Sequence, residues 1–366
     1  MSGGISFTSG VFALAAAAVG SLWLTPVVHP RLEYPERRPA KHVRGLEAAG
    51  VASAHVAALG RAFPNGAGEE AQWLVGRHGV THFKVHGKTN LDRLIVLAHG
   101  IGTNLHVYDE VVEPLVQEGY AVLTYDYFNH GWSVGLDKFL VYEKHVIVEQ
   151  LEDLLDHVLS TRETPLFGFI GHSTGGCLGV LADKLMERRI QNIFHISPCF
   201  FAKKPLIVQL LDAGLYKLFE RVFLRRGLLQ NIISDAYTEN DVLAWARDEA
   251  TSKYLFHDTR EAHEAENKVM FAHHPFIHGG IWGLGSNIIR QDLLPSYVKS
   301  LSKTKTRTMV VWGKLDMVVP YTEDNVAATS VNPHVTVRGL DGLGHESLYE
   351  NSAAVLKPML AFFKEA

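Results

Sequence analysis

Apolar positions change their rhythm along this chain, and the changes mark its parts. From Trp73 onward, short apolar runs alternate with stretches whose apolar residues recur every three or four positions. His82–His86 alternates as a half-buried strand does, while Arg93–Ala98, Tyr120–Tyr125, Leu166–Ile170 and Asn192–Ile196 are apolar almost throughout. Between them His106–Glu118, Glu143–Ser160 and Cys177–Arg188 suit helices; Val148, Leu151, Leu155 and Leu159 recur at helical spacing. Continuously apolar strands separated by helices predict a mostly parallel sheet covered on both faces, an α/β fold. The alternation stops at Pro198. From Cys199 to Tyr297 the pattern is helical or irregular, and strands resume only at Thr308–Trp312 and His334–Arg338, before a last helix over Leu348–Lys364. About a hundred residues between two strands of one sheet is too long for a loop. We therefore expect a core of residues 71–198 and 298–366, interrupted by a helical cap over 199–297.

The start of the chain has a different pattern. No Lys, Arg, Asp or Glu precedes Arg31, and residues 5–28 are apolar or small throughout. That length suits a membrane anchor. Trp23 stands where an interfacial residue would, and Arg31, Arg37, Arg38, Lys41 and Arg44 follow, an asymmetry that keeps the bulk of the chain cytosolic. A cleaved signal peptide, which would make the protein secreted or lumenal, and a buried helix of the soluble domain are the alternatives. Residues 31–70, with Pro35 and Pro39, read as a linker.

Composition narrows the function. With 47% hydrophobic and 20% charged residues the chain is globular, and a net charge of -4 argues against a nucleic-acid partner. Two cysteines, Cys177 and Cys199, are too few for a disulfide framework or a thiolate zinc site, and Cys177 is expected in the core. His257, His263, His273, His274 and His278 cluster in the cap without metal-ligand spacing, so no metal and no cofactor are expected. Leu206–Phe223 reads as a cap helix packed on the sheet domain, or alternatively one lying at a membrane surface.

The chemistry gathers at Leu166–Gly176. An apolar strand runs into Gly171-His172-Ser173-Thr174-Gly175, and a helix follows. A turn this sharp strains its central residue and requires flanks without bulk, which Gly171 and Gly175 supply. Ser173 is thrust out above the strand end, and the Thr174 N–H at the new helix start can meet a developing oxyanion. A serine hydroxyl needs a histidine base and a carboxylate to orient it. Strand Thr308–Trp312 runs into a loop presenting Asp316, and strand His334–Arg338 into a glycine-rich loop presenting His345. Asp324 and Asp341 are alternative acids.

In motif order and position, Ser173, Asp316 and His345 resemble the triad of the α/β-hydrolase superfamily. His99-Gly100-Ile101-Gly102 resembles its oxyanion loop, which implies that the Ile101 N–H joins that of Thr174, with His99 and His172 in support. Asp126-Tyr-Phe-Asn-His130-Gly131-Trp-Ser133 resembles another family stretch but carries Tyr127-Phe128-Asn129 where a basic residue and a glycine are usual. The resemblance implies a serine hydrolase of the monoacylglycerol lipase and lysophospholipase group, acting on a small-molecule or lipid ester. A soluble carboxylesterase, thioesterase or serine peptidase, and an inactive hydrolase-fold binding protein, are the alternatives. Nothing in the sequence speaks to oligomeric state.

Overall fold

The computed structural model describes residues 71–135, 144–159, 161, 163–202, 284, 288–289 and 293–366, with the backbone of Pro39–Ala40. The expected anchor at 5–28, the linker over 31–70 apart from Pro39–Ala40, the helix Leu206–Phe223, the cap histidines and most of the cap lie outside the described residues. No helix among the described residues is long and apolar enough to cross a membrane.

Ten strands among the described residues form one sheet: β1 (Pro39–Ala40), β2 (Gln72–Gly76), β3 (Gly79–His86), β4 (Leu94–Ala98), β5 (Ala121–Tyr125), β6 (Val134–Gly135), β7 (Leu166–His172), β8 (Ile190–Ile196), β9 (Arg307–Gly313) and β10 (Val335–Leu340). Their order is β1-β2-β3-β5-β4-β7-β8-β9-β10, with β6 paired to β3. From β5 to β10 every neighbouring pair is parallel, while β1, β2, β3 and β6 pair antiparallel at the other end. The fold is that of the α/β hydrolases. Parallel strands all deliver their following loops to one rim, which is how distant segments come to meet.

Both faces of the sheet are buried, as continuously apolar strands require. On one face, Val96 and Phe169 pack with helices α2 (Lys144–Val158) and α3 (Thr174–Leu185) through Leu151, Leu155, Leu178 and Leu181. On the other, Ile95, Leu97 and Ile170 pack with α1 (Asp109–Gln117) and α6 (Ser347–Lys364) through Val111, Leu115, Met359 and Phe363. Gly168 lets α6 approach closely: a β-carbon there would stand 2.7 Å from the Phe363 ring. Two short helices, α4 (Leu294–Leu301) and α5 (Glu323–Thr329), complete the core. The elbow helix begins at Thr174, directly after Ser173, and ends at Leu185.

One buried carboxylate organises the loops beside the site. Asp126, at the end of β5, accepts from His82 Nδ1 at 2.7 Å, from the Leu105 N–H at 2.8 Å and from the Trp132 N–H at 2.9 Å. Burial opposes its charge, but the His82 hydrogen bond and the surrounding imidazoles and amide outweigh burial and hold its pKa well below the usual carboxylate range. Gly131, at φ 49°, passes so near that a β-carbon would touch Asp126 Oδ2. Asn129 takes φ 57°, a left-handed conformation that asparagine tolerates, so the turn still closes with Tyr127-Phe128-Asn129 in place of the usual residues. Removing one partner of such a buried network leaves donors unpaired. Asp126→Ala is expected to lower stability by about 3 kcal/mol, read as a fall in the urea midpoint; an unchanged midpoint would show that water replaces the carboxylate.

Candidate active site

Ser173 stands between the end of β7 and the first residue of α3 with φ 52° and ψ -113°, a conformation rare for any residue with a side chain. There is no spare room around it. A β-carbon on Gly171 would lie 2.2 Å from the Gly175 carbonyl oxygen, and one on Gly175 would lie 2.1 Å from the Ala98 oxygen. The backbone is bonded on both sides of the strain. The Ser173 N–H donates to Ile196 O at 2.9 Å, and its carbonyl accepts from the N–H groups of Gly176 and Cys199 at 3.0 and 3.1 Å.

The Asp316 and His345 loops reach the same rim from β9 and β10 and interlock. Lys314 N–H donates to Leu340 O at 3.0 Å and Leu315 N–H to Leu343 O at 2.9 Å. Gly313 faces the Gly344 carbonyl at a distance no β-carbon could share. Asp316 Oδ1 accepts from the N–H groups of Val318 and Val319 at 2.9 and 2.8 Å, which turns Oδ2 toward His345 Nδ1 at 2.8 Å. His345 Nε2 lies 3.0 Å from Ser173 Oγ. With the carboxylate as acceptor, the imidazole proton belongs on Nδ1, so Nε2 accepts from the serine hydroxyl. Burial pulls the His345 pKa down, but Asp316, through its charge and hydrogen bond, together with Glu346 and Glu350, carries it above the ordinary value. Neither alternative acid reaches the base: Asp341 is exposed and pairs with Lys314 at 2.7 Å, and Asp324 is exposed in the first turn of α5.

The loop after β4 lies against the serine. A β-carbon on Gly100 would stand 3.2 Å from both Ser173 Cβ and His172 Nδ1, so Ile101 and Thr174 flank the nucleophile from two segments. Thr174, first in its helix, has no carbonyl one turn earlier for its amide. His99 Nε2 accepts from the Tyr127 N–H at 3.0 Å and its Nδ1 lies 2.6 Å from Gly100 O. His130 Nε2 accepts from the Gly102 N–H at 3.2 Å. His172 joins elbow to base loop, with Nε2 3.1 Å from the His345 carbonyl oxygen and its backbone N–H donating to the Tyr108 hydroxyl at 3.1 Å. Among the described residues, His172, His345 and Glu346 have donor atoms near enough for a metal ion. Both His345 nitrogens and His172 Nε2 are already committed, which disfavours one.

A family model described as serine aminopeptidase, S33, matches residues 89–352, most of the chain. The protein belongs to this family. Within it the chain falls in the monoglyceride lipase-like group of α/β hydrolases. It is 33% identical over 113 residues to rat monoglyceride lipase, a match covering 30% of this chain and 36% of the lipase. It is 32% identical over 95 residues to a monkeypox virus monoglyceride lipase homolog, covering 24% and 32%. The matched stretch thus spans about a third of these relatives' length. Among solved structures, an enol-lactonase from Burkholderia xenovorans superposes with a TM-score of 0.60 at 19% identity, covering 80% of this chain and 99% of that one. A bromoperoxidase from Bacillus anthracis gives 0.58 at 21% identity over 78% and 96%. At such identity these two speak for the fold.

Motif reading did not single out Cys199 as a neighbour of the nucleophile. Its Sγ lies 3.1 Å from Ser173 Oγ, because the chain after β8 turns at Ser197-Pro198 directly beside the elbow. No spacing rule carries that signal, since it depends on strand order. Burial pushes the Cys199 thiol up to about 11, so it stands beside the serine as a protonated neighbour and not a rival nucleophile. Iodoacetamide at neutral pH should alkylate Cys199 at least about 100-fold more slowly in the folded protein than in urea. Equal rates by peptide mass spectrometry would contradict the buried, protonated thiol.

Proposed function

We propose that this family member cleaves carboxylic esters through an acyl-enzyme. The hydrogen-bonded chain from Asp316 through His345 to Ser173 Oγ carries the reading, with distances of 2.8 and 3.0 Å. Ser173 attacks the ester carbonyl while His345 Nε2 takes its proton, and Asp316 holds the resulting imidazolium. The Ile101 and Thr174 N–H groups receive the tetrahedral oxyanion, two fixed dipoles aimed where charge develops. His345 returns the proton to the leaving alcohol. Water then repeats the sequence on the acyl-enzyme, releasing the acid and restoring the hydroxyl.

A lipid ester such as a monoacylglycerol or lysophospholipid is the substrate class we favour, supported by the match to monoglyceride lipases. The family's description as serine aminopeptidases supports a second reading, cleavage of an aminoacyl amide by the same three residues. Rates on monoacylglycerol, lysophospholipid, a short acyl ester and an aminoacyl anilide separate the two. Faster turnover of the anilide would overturn the ester reading.

A serine-directed fluorophosphonate should label the protein, and Ser173→Ala should abolish labelling with the fold intact by circular dichroism. His345→Ala and Asp316→Asn should each lower kcat by about 10⁴-fold. Labelling that survives Ser173→Ala would remove the assignment.

Activity needs His345 neutral, and its pKa is raised in the resting protein. The acid limb of kcat/KM should therefore fall above the ordinary histidine value of about 6.5, with activity lost as pH drops through it. A limb below that value would show the base to be unsupported.

A further inference from the structure

Asp316 is not the only acid at the base. The start of α6 brings two more buried carboxylates, Glu346 just before its first residue and Glu350 in its first turn, each 4% exposed. Their surroundings differ. Glu350 accepts the Gly344 N–H on both oxygens, at 2.8 and 3.1 Å, and so anchors the residue just before the base. Glu346 Oε2 is buried with no hydrogen-bond partner among the described residues. It lies 3.8 Å from His172 Nε2, beyond hydrogen-bond reach. A carboxylate oxygen of Glu346 and ring nitrogens of His172 and His345 all lie within 4.8 Å of one another.

A buried carboxylate oxygen without a donor is costly unless a cation stands nearby. His172 does not supply one, since burial outweighs the pull of Glu346 and lowers its pKa. The cation that answers Glu346 is formed in the reaction, when His345 takes the serine proton. We infer that Glu346 is a positioning residue for the base, a second buried carboxylate whose charge is matched only once His345 becomes an imidazolium. An interaction stronger in the transition state than at rest accelerates the chemical step. The inference rests on the serine-hydrolase reading above.

The molecule contains its own comparison. His82 is equally buried and also has a carboxylate oxygen on Nδ1, that of Asp126 at 2.7 Å. There burial prevails and the pKa falls, and the further charges acting on it are Lys84 and His106, both of which lower it. His345 has Asp316 at nearly the same distance, but its further charges are Glu346 and Glu350, and its pKa rises. Among the described residues, the groups facing His345 are Asp316 from the acid loop, Glu346 just before α6, Glu350 from its first turn, and His172 and Ser173 from the elbow. Cys199, protonated, lies beyond the serine.

The test is the pH dependence of fluorophosphonate labelling and ester hydrolysis by the full chain across the histidine range. Glu346→Gln, which keeps the shape and removes the charge, should move the acid limb about 0.5–1 unit lower. It should also cut the plateau kcat about 3- to 10-fold with little change in KM. Glu346→Asp, which keeps the charge, should restore most of both. Labelling reads only molecules with an assembled site, so partial misfolding changes the amplitude and leaves the limb in place. An unmoved limb in Glu346→Gln, or equal shifts in both variants, overturns the role of Glu346. A wild-type protein that does not label, or a Ser173→Ala variant that does, overturns the hydrolase reading instead.

Discussion

Backbone contact at the turn between β7 and α3 is the constraint from which the rest follows. Ser173 holds φ 52°, and the segments around it approach closer than any side chain would allow at Gly171 or Gly175. Strain of this kind persists only where neighbouring structure leaves no alternative. Here the neighbours are β8, which takes the Ser173 N–H, and the turn after β8, whose Cys199 N–H returns to the Ser173 carbonyl. The strand beside the elbow therefore fixes the serine's direction as firmly as the elbow does.

Parallel strand order turns that local geometry into a site. β7, β9 and β10 end at the same rim, so side chains 172 positions apart meet at 3.0 Å. Strand order sets the approach only coarsely. The finer adjustment comes from loop–loop contacts: Leu315 bonded to Leu343, Gly313 against Gly344, and Gly344 anchored in turn by Glu350. Acid and base are positioned as one interlocked unit, and His172 ties the elbow to that unit through the His345 carbonyl.

Much of this was legible in the residues. Glycines at 171 and 175 signalled the turn because no other residue fits there, and the apolar runs of β4, β5, β7 and β8 signalled a sheet buried on both faces. What escaped had no local signature. Glu323–Thr329 buries only Thr329, so it shows no apolar stripe to mark it as a helix. β2 and β3 pair antiparallel where an alternating α/β pattern points to parallel pairing, because a tight turn at Arg77-His78 joins them directly. Cys199 and Glu346 owe their places to tertiary approach. Neither a cysteine three residues after a strand nor a glutamate beside a histidine carries a pattern that reveals what the side chain faces.

The neighbourhood of the nucleophile is crowded with imidazoles, and its shape depends on most of them staying neutral. His99 must keep a lone pair on Nε2 to accept the Tyr127 N–H, and burial lowers its pKa to about 4, which secures that acceptor at neutral pH. His130 receives the Gly102 N–H in the same way, so the loop carrying Ile101 hangs on two imidazole lone pairs. His195, buried beside Gly176 with no hydrogen-bond partner on either nitrogen among the described residues, is driven down to about 3 and acts as an aromatic filler against Phe200. Desolvation alone would push His345 the same way. Carboxylates from two loops are what separate the one histidine able to take a proton from those that must refuse it, so scaffold and base draw opposite properties from one residue type by burial and charge alone.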